Sequence, residues 1–193
     1  MKLTVEDILD AAQSLVDEEG LGGLNMRAIA RRLDVQGSAL YWHIHNRSEL
    51  LTMLANLYYQ RAFDLVPANL DWPEWLRTYG RAFHTELLAH RDAAQICGLA
   101  RPASRSVAKG LDRLAAPLLS AGLTRTQALA CQSSVIALAV GWAMYEQSPH
   151  MKSHLARALD IPGSFLQGLD AMVTGLAGTV LPANRKTPGR RKG

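Results

Sequence analysis

The stretch from Asn25 to Arg47, NMRAIARRLDVQGSALYWHIHNR, constrains this chain more than any other. Asn25 is a strong helix N-cap, and Met26, Ile29, Ala30 and Leu33 repeat behind it at helical spacing. Asp34-Val35-Gln36 is too short to do more than turn, and Gly37-Ser38-Ala39-Leu40-Tyr41-Trp42 then starts a second short helix. Two short helices across so tight a turn form a helix-turn-helix, in which the second helix lies in the DNA major groove with its N-terminal residues facing base edges. Gly37, Ser38 and Ala39 permit close approach at that point. Between Leu24 and Ser48, Arg27, Arg31, Arg32 and Arg47 stand against Asp34 alone, which suits a phosphate backbone. The same pattern is compatible with an ordinary helical hairpin carrying a solvated basic face.

The rest of the chain also reads as helices, so the fold class is all-α. Thr4 with Asp7 caps a first helix whose stripe is Val5, Ile8, Leu9, Ala12, Leu15 and Val16, and Gly20 ends it. Asn46 with Glu49 starts a helix running to about Leu65, and Val66 to Leu70 reads as a linker. Asp71 caps the next helix, with Pro73 in its first turn and Trp75, Leu76, Tyr79, Phe83, Leu87 and Leu88 as its buried stripe. A short apolar helix to about Leu99, a break at Arg101-Pro102 and a helix from about Ser104 to Ala121 follow, the last expected to be kinked or divided by Pro117. Thr124 and Gln127 open a long helix, apolar on most sides from Ala128 to Met144. Ser148 to Pro162 reads as a loop with a helical turn or two, and Gly163 and Ser164 open a last helix that Pro182 stops.

Composition narrows the class of function. At 193 residues and 48% hydrophobic the chain can bury a substantial core. The net charge of +4 is local: NRKTPGRRKG at the end holds five of the 21 basic side chains, and without it the balance is 16 basic against 17 acidic. A nearly neutral body with a basic patch fits a site on DNA better than a coat of charge. Cys97 and Cys131 are too few for a disulfide framework and lack a metal-type spacing, and both are expected to be buried thiols. The N-terminus turns acidic at once, and the longest nearly apolar run, Val135 to Tyr145, is short of the ~20 residues of a membrane helix. A soluble cytoplasmic protein with no membrane partner is expected. No nucleophile elbow, phosphate loop or zinc-protease motif points to an enzyme, and no metal or cofactor is expected.

At RAIARRLDV and ALYWHIHNRSELL, within Gly20 to Leu51, the sequence resembles the DNA-binding domain of the TetR (tetracycline repressor) family of bacterial regulators. LLAHRDAAQICGLARP, from Leu87 to Pro102, and SFLQGLDAMVTGL, from Ser164 to Leu176, are similar to the core of the tetracycline repressors proper. The resemblance implies a helix-turn-helix domain over 1–48, a connecting lever helix over 49–66, an effector-binding and dimerisation domain over 67–182, and a disordered basic tail over 183–193. It implies a repressor that binds a palindromic operator as a homodimer and leaves it when a small molecule binds. The residues themselves offer a dimer surface, because the long helix from Ala128 is apolar on more faces than one chain readily covers, and Gly168, Gly175 and Gly178 would allow close packing. A place among the central helices of a monomer is the other reading.

By the resemblance, Arg27 contacts a base or phosphate; Gly37, Ser38 and Ala39 occupy the base-reading positions; Tyr41 and His43 meet phosphate or thymine methyl groups; and Arg47 holds the DNA backbone. Trp42 is expected to pack the helix onto its support. In the tetracycline repressors the drug and its magnesium are held by a histidine near the end of the lever helix, an asparagine on the next helix and a histidine before the Arg-Pro break. Phe63, Tyr79 and Cys97 stand at the matching places here, and Ala100 replaces a threonine before Arg101. A thiol is a poor ligand for a hard cation. Phe63, Tyr79, Phe83, Cys97, Leu114 and Trp142, with Arg101 as polar anchor, instead suit a small hydrophobic or aromatic effector, though each could equally fill the core. A redox-sensing regulator working through Cys97 and a constitutive DNA-binding protein without effector are the alternatives.

Overall fold

The computed structural model describes residues 3–101 and 105–180, and among these the ordered elements are all helices. They are α1 (Val5–Glu19), α2 (Met26–Arg32), α3 (Gly37–Tyr41), α4 (Arg47–Asp64), α5 (Trp72–Ala89), α6 (Ala93–Leu99), α7 (Arg105–Ser120), α8 (Arg125–Gln147), α9 (Pro149–Leu155) and α10 (Ile161–Val180). The basic tail and the Pro182 stop lie outside the described residues.

Helix starts follow the local chemistry of the caps. Asn25, Asn46 and Asp71 each accept from the backbone N–H three residues on, at 2.9, 2.9 and 3.0 Å. Thr4 with Asp7 and Thr124 with Gln127 form complete capping boxes. The turn between α2 and α3 closes when Asp34 adopts a left-handed conformation (φ 51°) and the Val35 N–H reaches back to the Ala30 carbonyl at 3.0 Å.

Two prolines behave differently from expectation. Pro117 neither divides nor ends α7 at once; the helix runs on to Ser120 and closes at Gly122, whose φ is 91°. The lost bond to the Arg113 carbonyl falls within the last two turns, where few further bonds depend on it. Pro162 lies inside the first turn of α10, where its missing N–H would have no intrahelical partner anyway, so the helix opens at Ile161 rather than at Gly163.

The first three helices close around Ile8, Ala12, Val16, Ile29, Leu40 and Ile44, and α4 enters that core with Leu50 and Leu54. The far half of α4 packs on α5 and α6. Helix α5 lies against α8 and α10 so closely that a Cβ on Gly80 would come within 2.9 Å of both Val135 and Leu169. With 23 residues, α8 is long and apolar enough to cross a membrane, more than its apolar run alone suggested. Instead it carries the buried Gln132 and packs on α5, α6, α7 and α10.

Candidate DNA-binding and effector sites

The short helix α3 stands away from the body on one buried residue, Leu40. Gly37 and Ser38 are exposed, Ala39 and His43 half-buried, and a Cβ on Gly37 would meet nothing within 4 Å. Trp42 does not pack onto its support. It follows the end of α3, is 88% exposed, and stands beside Tyr41 at 51%. Two neighbouring aromatic rings held in water at the tip of a helix-turn-helix are costly to expose without a partner surface. Beside them runs an open groove lined by Arg27, Arg31, Tyr41, His45 and Arg47.

The arginines divide their work. Arg32 pairs with Glu18 of α1, which holds that carboxyl below its usual range. Arg47, expected to hold DNA backbone, donates from Nε to the Leu24 carbonyl at 3.1 Å and from Nη2 to the Leu21 carbonyl at 3.0 Å. Its first task is thus to fasten the loop after α1 to the start of α4. His45 is tied to Glu49 through both its backbone N–H (2.8 Å) and its Nδ1 (2.9 Å).

Behind this surface, α4 and α5 build a row of rings. Trp75 stacks on Tyr79 (5.2 Å between centroids), Tyr79 on Phe83 (5.9 Å) and Phe83 on Tyr59 (4.8 Å), while Phe63 meets Trp75 edge-on at 5.8 Å. Trp75, Tyr79 and Phe83 align because they recur every four residues on one face of α5. Arg113 of α7 lies 4.4 Å above the Phe63 ring and bonds Asp64 at 2.7 Å, closing one end next to buried Leu114. Cys97 of α6 pairs with the Tyr59 hydroxyl, and burial pushes its thiol up to about 12. Burial likewise raises the Tyr79 phenol well above its usual value, and its hydroxyl finds no partner among the described residues.

The structure therefore gathers Phe63, Tyr79, Phe83 and Cys97, buries Leu114 in the same core, and leaves Arg101 outside. The Arg101 residue is exposed and held by its backbone N–H to Thr52 Oγ1 at 3.0 Å. Trp142 is half-buried against the core on the Val135 and Ala139 face of α8, and meets the exposed Tyr145 edge-on at 6.3 Å. Sequence reading missed Tyr59 and Gln132. The i, i+4 spacing of Tyr59 with Phe63 was a signal for the first; for the second there was only an amide in an apolar helix. The residues at the three places that hold the drug and its magnesium in the tetracycline repressors do not fit a hard cation: two are rings and the third is a neutral thiol. Among the described residues, no three His, Cys, Asp or Glu side chains converge on a point that would hold a metal.

The two halves meet through polar groups. The Leu21 N–H donates to Asp92 Oδ2 at 2.7 Å, the Arg91 N–H to Asp17 Oδ1 at 2.9 Å, and His90 Nδ1 meets Asp17 Oδ2 at 3.1 Å. Tyr58 of α4 joins the same seam, donating to Gln13 of α1 and stacking on His90 at 5.6 Å.

Residues 8–53 match the family described as bacterial regulatory proteins, tetR family, and residues 66–161 match the tetracyclin repressor-like C-terminal domain. The tetracycline repressor protein class A from transposon 1721 of Escherichia coli is 32% identical, over 100% of this chain and 98% of its own length. This chain belongs to the TetR family of bacterial regulatory proteins. A TetR variant from Acinetobacter baumannii AYE, solved in complex with minocycline, superposes with a TM-score of 0.76 at 29% identity, covering 94% of this chain and 100% of that one. A BioQ bound to its natural double-stranded DNA operator superposes with a TM-score of 0.69 at 31% identity, covering 91% and 99%. This regulator thus shares its whole architecture with proteins solved on both a drug and an operator.

Proposed function

We propose that the chain is a non-catalytic cytoplasmic repressor that grips a palindromic operator as a homodimer and releases it when a small hydrophobic or aromatic effector enters the α4–α5 ring cluster. The observation that carries this is the Tyr79 hydroxyl, enclosed among stacked rings with no partner among the described residues. A side chain kept only for packing would gain by losing that oxygen.

On the DNA side, Arg27 and the open start of α3 at Gly37, Ser38 and Ala39 read base edges, and Tyr41, Trp42 and His43 meet phosphates and thymine methyl groups. Arg47 acts mainly by holding the loop beside α2. Two such units reach half-sites about 34 to 36 Å apart only in a dimer. Exposed Met144, Tyr145 and Leu166 on α8 and α10, with open space around Gly168 and Gly175, offer the surface for a second copy.

Helix α4 links the two sites. It begins beside α3 and carries Tyr59 and Phe63 in the ring cluster. A ligand wedged against those rings moves the lever, and the half-site spacing changes with it. A near-complete switch needs roughly 5.5 kcal/mol of preference for the released shape. The protonated Cys97 thiol makes the redox reading the weaker one.

The test is a thermal-shift scan of the full chain against apolar and aromatic antibiotics and metabolites, including tetracycline with and without magnesium. A metal-independent rise in melting temperature with a lipophilic compound is expected. A rise with tetracycline only when magnesium is present would overturn the aromatic reading, and silence across the panel would favour constitutive binding.

A further inference from the structure

Two polar side chains in the core lack a hydrogen-bond partner among the described residues. One is Tyr79; the other is Gln132, unpaired at both Oε1 and Nε2 and 1% exposed. Native interiors rarely leave both ends of a buried carboxamide unmatched. The two side chains belong to one layer. Helices α5 and α8 run in the same direction, since a Cβ on Gly80 would touch Val135 while Gln147 at the end of α8 donates to the Leu87 and His90 carbonyls at 2.6 and 2.7 Å. Gln132 lies one turn before Val135 on the same face, which sets it level with the Leu76 to Tyr79 turn of α5.

The surroundings are flat and uncharged. Trp75, Tyr79 and Phe83 stack in a row, and no Lys, Arg, Asp or Glu is among the buried polar residues of the described core. Burial keeps the Tyr79 phenol and the Cys97 thiol protonated. Apart from Arg113 over the Phe63 end, which is already paired with Asp64, a charged ligand or a metal chelate would meet no compensating group among these rings.

We infer that this layer recognises a neutral, flat effector carrying a hydrogen-bond donor and an acceptor side by side, as on the edge of a lactam or imide, which pair with the two ends of the Gln132 carboxamide. An effector oxygen accepts from the Tyr79 hydroxyl. The inference rests on the reading of the ring cluster as the effector site. Selectivity follows from the burial: an analogue without the donor leaves Gln132 Oε1 unpaired, and one without either group leaves both ends so.

The probes are phenanthridinone, a tricyclic lactam, its N-methyl derivative and phenanthrene, titrated into the full-length dimer with tryptophan fluorescence as readout. The lactam is expected to bind at least about tenfold more tightly than the other two. Gln132→Leu should bring the three within about threefold, and Tyr79→Phe should weaken the lactam several-fold. Both variants should melt at or above the wild-type temperature, because each removes an unpaired buried group. Equal binding of all three probes, unchanged in Gln132→Leu, would overturn the donor–acceptor recognition while leaving the aromatic effector site standing. A lowered melting temperature in both variants would show that the two groups serve the fold and would also overturn the inference. No binding by any probe would overturn the aromatic site and the inference together.

Discussion

The Leu21 N–H and the Asp92 carboxylate, 71 residues apart in sequence, meet at 2.7 Å where the loop after α1 touches the start of α6. Asp92 sits there in a left-handed conformation (φ 55°), opposite Gly20 at φ 79°. A Cβ on Gly20 would come within 3.0 Å of the Arg91 guanidinium, so the glycine serves both the turn and the seam. The same short helix, α6, carries Cys97 into the ring cluster. One seven-residue element therefore touches both the DNA-binding half and the candidate effector site.

Asp92→Ala removes the acceptor and places a poorly suited residue at positive φ, so it should cost about 2 kcal/mol of stability. Asp92→Asn keeps an acceptor oxygen and tolerates the conformation, and should cost less than about 1 kcal/mol. Urea unfolding midpoints separate the two. Equal losses would mean that the carboxylate charge, rather than the geometry, holds the seam.

Trp42→Ala should lower operator affinity at least about tenfold, yet change stability by no more than about 0.5 kcal/mol, because the side chain buries almost nothing. Trp72 and Trp75 are 6% and 2% exposed, so quenching of fluorescence by duplex DNA should fall mainly on Trp42. Polarisation of a labelled operator and the loss of quenching in Trp42→Phe check this. A large fall in melting temperature would assign the ring to packing after all.

Burial pushes the Cys97 thiol up to about 12, which leaves very little thiolate at pH 8. Iodoacetamide should modify it at least about tenfold more slowly than a peptide thiol in the native protein. Rapid native-state modification, followed by mass spectrometry, would reopen redox sensing.

His84 stacks on Phe165 at 3.8 Å and meets Glu146 at 2.8 Å, joining α5, α8 and α10. Burial pushes its pKa below 6.5, against the pull of Glu146. The unfolded chain then binds more protons than the native one as pH falls through 6.5, so native stability is present above that value and declines below it. His84→Gln, which retains a donor for Glu146, should flatten the decline in melting temperature below about pH 6.5. A decline as steep as wild type would place the acid sensitivity elsewhere.

Much of the fold is local chemistry and was legible. Asn25, Asn46, Asp71 and Thr124 cap within three residues of themselves, and the α5 stripe needs only its own spacing. The TetR resemblance supplied the pairing of halves that spacing alone does not. What escaped depends on where a helix stops or which helices cross. Trp42 looked like a packing residue, but α3 ends at Tyr41 and its ring turns outward. Arg47 looked like a phosphate ligand, and two carbonyls more than twenty residues away claim it. Tyr59 joins the ring cluster because α4 crosses α5, where its ring stacks on Phe83, and meets α6, whose Cys97 reaches its hydroxyl.

The most direct measurement is operator release. A fluorescent duplex selected by the protein from random DNA would be titrated with the compound giving the largest thermal shift, for wild type and Phe63→Ala. The wild-type complex should dissociate as the compound is added. Phe63→Ala should bind the duplex within about threefold of wild type but need at least about tenfold more compound for release. Loss of DNA affinity and of release in equal measure, or release unaffected by the substitution, would contradict an effector acting on α4 through the ring cluster.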